Sequence, residues 1–110
     1  EANITPSSTS NKVLILVHFT GRQVNAGKTI DTTIYRNDTT NLAINSSTAM
    51  MGLYNVSADD YKGYFNNYLD SPSSTSSVNY QVYAKVDTSS TGGIMVNTNT
   101  AVMTLMEIAG

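Results

Sequence analysis

Residues 78–87 alternate without a break. Val78, Tyr80, Val82, Ala84 and Val86 fall on one side; Asn79, Gln81, Tyr83, Lys85 and Asp87 fall on the other. Successive side chains of an extended chain point to opposite faces, whereas a helix needs apolar residues every three to four positions. The run therefore reads as a strand with one buried and one wet face. The same period recurs at residues 13–20. Val13, Ile15, Val17 and Phe19 share a face there, and Leu14 and Leu16 make the other face apolar before His18 and Thr20 turn it polar. A strand apolar on both faces has to be covered on both.

Further strands are expected at 28–36, 41–44, 48–56, 62–70, 94–97 and 101–109. Within 62–70, Phe65 and Leu69 face away from Tyr64 and Tyr68. Within 101–109, Val102, Met106 and Ile108 face away from Met103 and Leu105. Turn signals such as Gly21, Gly27, Asn37-Asp38 and Pro72 separate these runs at roughly 8 to 12 residues, the spacing of a β sandwich or barrel. The sum is eight strands and no helix. It predicts an all-β, antiparallel, eight-stranded jelly-roll-like sandwich over residues 12–110. Residues 1–11, polar with Pro6 in a Ser/Thr run, read as an extended arm or linker.

Composition narrows the chemistry. The chain has no cysteine and one histidine, which excludes a disulfide scaffold, thiolate catalysis and a multi-histidine metal site. Charged residues are 13% of 110 and the net charge is -2, so nothing is basic enough to hold a phosphate backbone. Ser, Thr and Asn together are 40 residues, which implies a neutral, hydroxyl- and amide-rich surface. The longest apolar run, 13–17, is far short of the roughly 20 residues that cross a membrane as a helix. The chain opens at Glu1, as a mature chain or a piece of a longer one would.

No catalytic set is expected. His18 stands alone, without a Gly-x-Ser-x-Gly elbow or an orienting carboxylate in sequence reach, and reads as a half-buried histidine bonded to backbone. Asp59-Asp60 is the one adjacent acidic pair; a turn that caps backbone N–H groups explains it better than a metal. Asp31 and Asp70 read as isolated strand residues. The four glycosylation sequons, at Asn3, Asn37, Asn45 and Asn55, are expected by chance in so Asn-, Ser- and Thr-rich a chain. Tyr54, Tyr61, Tyr64, Tyr68, Asn66 and Asn67 are the candidate ligand-binding set, because aromatic faces and amides suit a neutral glycan. Packing of a sheet accounts for the same tyrosines equally well. No cofactor and no metal site is expected.

Three ordered stretches carry a resemblance: Tyr68-Leu69-Asp70-Ser71-Pro72 with its Ser/Thr linker to Ser77, Tyr80-Gln81-Val82-Tyr83-Ala84-Lys85-Val86, and Thr104-Leu105-Met106-Glu107-Ile108. Together they resemble the C-terminal domains of bacteriophage fibre and spike proteins, many from phages of aquatic bacteria including cyanophages. Those domains are similar to the trimeric jelly rolls of the tumour-necrosis-factor and complement-C1q type. The resemblance implies a homotrimer at the tip or knob of a virion fibre, joined to other fibre or capsid proteins on its N-terminal side. It also implies attachment to the host surface, with bacterial polysaccharide as the candidate receptor. It carries no catalytic residues.

The apolar second faces of 13–20, 48–56 and 101–109 agree with a subunit interface, since large apolar patches are rare on monomers. Met50, Met51, Met103, Leu105 and Met106 are the candidates for a three-fold seam, methionine being suited to irregular gaps. The alternatives are a head-decoration or capsid-surface protein without a receptor, a polysaccharide-degrading enzyme, or a cellular adhesin or pilin. The reading preferred is a non-enzymatic structural domain of the virion surface.

Overall fold

The structure is a computed structural model and describes residues 1–43, 49–87, 89–95 and 101–110. Among them are nine strands and no helix: β1 (Ala2–Ile4), β2 (Lys12–Gln23), β3 (Lys28–Arg36), β4 (Thr40–Asn41), β5 (Met51–Asn55), β6 (Asp60–Asp70), β7 (Val78–Val86), β8 (Gly92–Met95) and β9 (Val102–Ile108). All pairings are antiparallel. Sheet A runs β1-β7-β3, with β4 and β5 sharing the far side of β3. Sheet B runs β6-β2, with β8 and β9 sharing the far side of β2. The two sheets form a sandwich-like arrangement. Its Cα extents of 47 × 31 × 18 Å are those of two stacked layers.

The all-β, antiparallel, sandwich-like expectation is met, and the period-two faces decide what is inside. Val13, Ile15, Val17 and Phe19 of β2 meet Ile30 and Ile34 of β3 and Val78 and Tyr80 of β7 in one core. Opposite them on β6 lie Asp70, Tyr68, Asn66 and Tyr64, paired in that order with Val13, Ile15, Val17 and Phe19. The β6 face turned inward is thus the tyrosine face. Phe65 and Leu69 point out.

Three expectations need revision. The first is the strand count: nine among the described residues, because the polar lead-in is not a free arm. Ala2–Ile4 pairs with Val78–Tyr80 as β1, and Pro6 is buried. Glu107 then holds the lead-in down, accepting bonds from Ser7 N at 2.5 Å, Ser7 Oγ at 2.9 Å and Asn11 Nδ2 at 2.6 Å. The second is Gly21, read as the start of a loop. It lies inside β2, where the Tyr64 ring covers it so closely that a Cβ there would sit 2.4 Å from Tyr64 Cε2. The missing side chain is filled by a neighbouring ring, so the strand runs on to Gln23. The third concerns extents. The expected strand at 41–44 reduces to Thr40–Asn41, that at 48–56 to Met51–Asn55, and that at 94–97 appears as Gly92–Met95. Residues 44, 48, 96 and 97 of those expectations lie outside the described residues.

Turn chemistry follows the sequence. Asn37 and Asp38 both have positive φ, 51° and 57°, and Thr39 N donates to Arg36 O at 3.3 Å. That is the tight hairpin geometry Asn and Asp tolerate best. Asp59, at φ 55°, turns the chain into β6.

Candidate functional site

The six residues expected to bind ligand do not share a surface. Tyr64 is buried at 1% exposure and stacks on Phe19, ring centroids 4.7 Å apart. Asn66 and Tyr68 lie on the same inward side of β6. Tyr61 and Asn67 point out from sheet B, and Tyr54 stands exposed on β5 of sheet A. Alternation alone separates them: positions 61 and 67 take one face of β6, positions 64, 66 and 68 the other.

The expected three-fold seam divides in the same way. Leu105 and Met103 pair with Ile15 and Val17 and pack against the core, as do Met50 and Met51. Met106, one position on, pairs with Leu14 on the outside at 40% exposure. Neighbouring residues of one strand take opposite faces, so Met106 alone of the three β9 candidates stands on the outer surface.

The outer face of sheet B is apolar where most sheet surfaces are polar. Leu16, Phe65, Leu69, Val102, Met106 and Ile108 are 39% to 71% exposed. The cross-strand pairs Leu14–Leu69, Leu14–Met106, His18–Phe65 and His18–Val102 set most of them side by side, while Leu16 between those rows faces Asn67 and Thr104. His18 stacks on Phe65 here, centroids 4.3 Å apart and 15° from parallel, in place of the expected backbone bond.

The outer face of sheet A is the opposite in character. Tyr35 of β3 and Tyr83 of β7 touch with centroids 4.6 Å apart, tilted 50°. Asp31 pairs with Lys85, Thr33 with Tyr83, and Tyr35 with Asn41 across the ladders. These side chains, with Ala84, line a hollow of about 300 Å³. Thr33 forms part of its lining and donates from Oγ1 to Asn41 Oδ1 at 2.6 Å. Tyr83 Oη donates to Asp38 Oδ1 at 3.4 Å; partial burial first, then the Asp38 charge, raise its phenol above the ordinary value. The signal for this site was present in the polar face of 78–87. Only the strand order, which brings β3 beside β7, joins Tyr83 to Tyr35 and Asp31.

The acidic pair at Asp59 and Asp60 is neutralised by two cations. Asp59 accepts from Arg22 Nε at 2.6 Å, and that bond holds its carboxyl below the usual range. Asp60 meets Lys62 Nζ at 2.7 Å with the same effect. Arg22 also lies over the Tyr61 ring, 5.5 Å from its centroid. Among the described residues no three His, Asp or Glu side chains gather in a way that could hold a metal ion. Among the described residues no helix is long and apolar enough to cross a membrane. Asp70 is not isolated: Arg36 and Tyr80 both bind it. Asn55, one of the sequon positions, is 1% exposed and donates from Nδ2 to Gln23 O, so it is structural. The sequon at Asn45 lies outside the described residues.

Comparison with known protein families, with curated proteins and with solved structures finds no match for this chain.

Proposed function

We propose that this chain is a non-enzymatic structural domain of a phage virion, with a jelly-roll-like sandwich, working as a homotrimer at the tip of a fibre or spike and attaching the particle to its host's surface. The observation that carries the reading is the exposed apolar outer face of sheet B. The apolar rows span Lys12 to His18 of β2, so the patch extends roughly 23 Å, and three strands across give it on the order of 300 Å². A stable interface buries about 800 Å² on each partner, so this patch would be the apolar centre of one, with the polar rows at Thr20 and Arg22 in its rim. A second copy of the chain suits it, because it is apolar and carries few charges. β6 adds to this: it is an eleven-residue strand whose second edge has no strand neighbour among the described residues, a ready template for another chain. The resemblance of 68–110 to phage fibre C-termini supplies the virion setting, and the N-terminal side would join the domain to other fibre or capsid proteins.

The molar mass in solution, by light scattering on a size-exclusion column, tests this. Three times 11.8 kDa is expected. A single-chain mass at high micromolar concentration overturns assembly, and a two-chain mass replaces the three-fold tip with a face-to-face dimer.

A further inference from the structure

The outer face of sheet A holds two opposite charges that do not meet: the Asp31 carboxylate lies over Gly52 of β5, which has no side chain to fill that space, while Lys85 is on β7 at the other side of β3. Asp31 and Lys85 are direct cross-strand partners of opposite charge, yet among the described residues they form no ion pair within 4.0 Å and their head groups make no hydrogen bond. Opposite charges facing each other on a sheet ordinarily pair. Here Asp31 and Lys85 flank a hollow of about 300 Å³ whose lining also includes the Tyr35–Tyr83 pair. The two rings touch at a 50° tilt rather than stacking flat, and both residues line the hollow. Tyr83 keeps 41% of its surface exposed.

We infer that this hollow binds one neutral pyranose ring, its apolar C–H face against Tyr83 and its hydroxyls shared between Asp31 and Lys85. Each part follows from the donor and acceptor inventory. The Asp31 carboxylate accepts from two adjacent hydroxyls, Lys85 donates to a hydroxyl or ring oxygen, and the Tyr35 phenol does either. Ligand clefts run from roughly 300 to 1,000 Å³, so this one takes a single small ring. Its charge sets the sugar class. Asp31 and the nearby Asp38 outnumber Lys85, so an acidic sugar is repelled and a neutral one is not. The inference deepens the attachment reading by naming the surface that would meet the host, and it rests on that reading for its biological meaning alone.

The test is an amide chemical-shift titration of the full chain with the methyl glycosides of glucose, galactose and mannose. At least one is expected to shift Thr33, Tyr35, Tyr83 and Lys85 saturably in the millimolar range. Tyr83→Ala and Asp31→Asn should each weaken binding about tenfold or more, the loss of one good contact. Tyr61→Ala, on the outer face of the other sheet, should leave it unchanged. If Tyr83→Ala does not fold, Lys85→Gln, a surface change, replaces it with the same expected loss. No saturable shift with any of the three sugars, or equal binding by the Tyr83 and Tyr61 variants, overturns the inference. Binding is read whatever the assembly state, so a trimer that ignores all three sugars fails this inference alone, and a monomer that binds one fails only the trimer.

Discussion

Tyr80 Oη donates to Asp70 Oδ2 at 2.7 Å and so ties sheet A to sheet B at one end of the sandwich. Arg36 Nη1 completes the cluster, donating to both Asp70 oxygens at 3.0 and 2.9 Å. Asp70 is 5% exposed and Tyr80 is fully buried, so the carboxylate is held away from water by these partners.

Removing one partner of a buried charge costs more than removing a neutral contact. Tyr80→Phe deletes one bond to a carboxylate, which is worth about 1.5–3 kcal/mol. Arg36→Met leaves the negative charge buried without its cation, at about 3–5 kcal/mol. Urea denaturation reads both. The expected order is wild type, then the Tyr80 variant, then the Arg36 variant. A Tyr80 variant as unstable as the Arg36 one would mean the phenol, not the guanidinium, holds the carboxylate.

The two buried tyrosines set the alkaline limit. Burial, and secondarily the Asp31 charge, pushes the Tyr64 phenol up to about 12. Burial, then the bond to Asp70, raises that of Tyr80 as well. An unfolded tyrosine titrates near 10.0. The folded state therefore favours the neutral phenols. Their stabilisation is complete below about pH 10 and is lost as pH rises through the folded values. Tyrosinate absorbance should show fewer than the chain's 7 tyrosines ionising around pH 10, with the remainder appearing together with loss of the β-sheet circular dichroism. All seven titrating reversibly with the sheet signal intact would show that Tyr64 and Tyr80 are not sequestered.

Gly21 and Tyr64 form a coupled pair. A methyl at position 21 would meet the Tyr64 ring at 2.4 Å. Overpacking of this kind costs about 1–3 kcal/mol. Gly21→Ala is expected to fall in that range, and Tyr64→Leu to cost stability through lost volume. The double variant should lose less than the sum, because the smaller side chain vacates the contested space. Strict additivity would place the Gly21 effect in the backbone rather than the ring.

Glu107 fastens the lead-in to the last strand. Bonds from Asn11 and Ser7 hold its carboxyl below the usual range. A lowered value stabilises above the unfolded titration, and that stabilisation disappears as pH falls through the folded value. Glu107→Ala should speed amide hydrogen exchange at Ser7 and Asn11 while the amides of β2 stay protected. Acidification of the wild type should lower the protection of those two amides first, once each rate is divided by the intrinsic exchange rate at that pH.

Much of this fold was legible in the sequence, and the failures share one cause. Period two placed Val13, Ile15, Val17 and Phe19 on one face, and they are the heart of the core. It also separated Phe65 and Leu69 from Tyr64 and Tyr68. What it could not supply was which of those faces turns inward, because β6 alone is amphipathic either way. The partner decides: the register of β2 sets Tyr64 beside Phe19 and over Gly21. The candidate site failed for the same reason. Tyr35, Tyr83 and Asp31 are distant in sequence and meet only because β3 and β7 are neighbours. The lead-in was misjudged because its three-residue strand is too short to show a period, and its anchor, Glu107, lies a hundred residues from Ser7.

Phe65 is the sharpest probe of the apolar face. It is 71% exposed and stands against His18 in the middle of sheet B's outer surface. In a lone chain, Phe65→Lys replaces an exposed ring with a solvated charge, so the fold should survive. In an assembly that covers this face, the same change buries an unpaired ammonium, which costs far more than an interface contact returns. The expected result is a drop to single-chain mass with the circular dichroism and urea midpoint of the isolated domain retained. Tyr54→Lys is the matched control, since Tyr54 is 61% exposed on sheet A. It should leave the assembled mass unchanged. If Phe65→Lys keeps the assembled mass and Tyr54→Lys does not, the interface lies on sheet A, and the apolar face of sheet B is not where the copies meet.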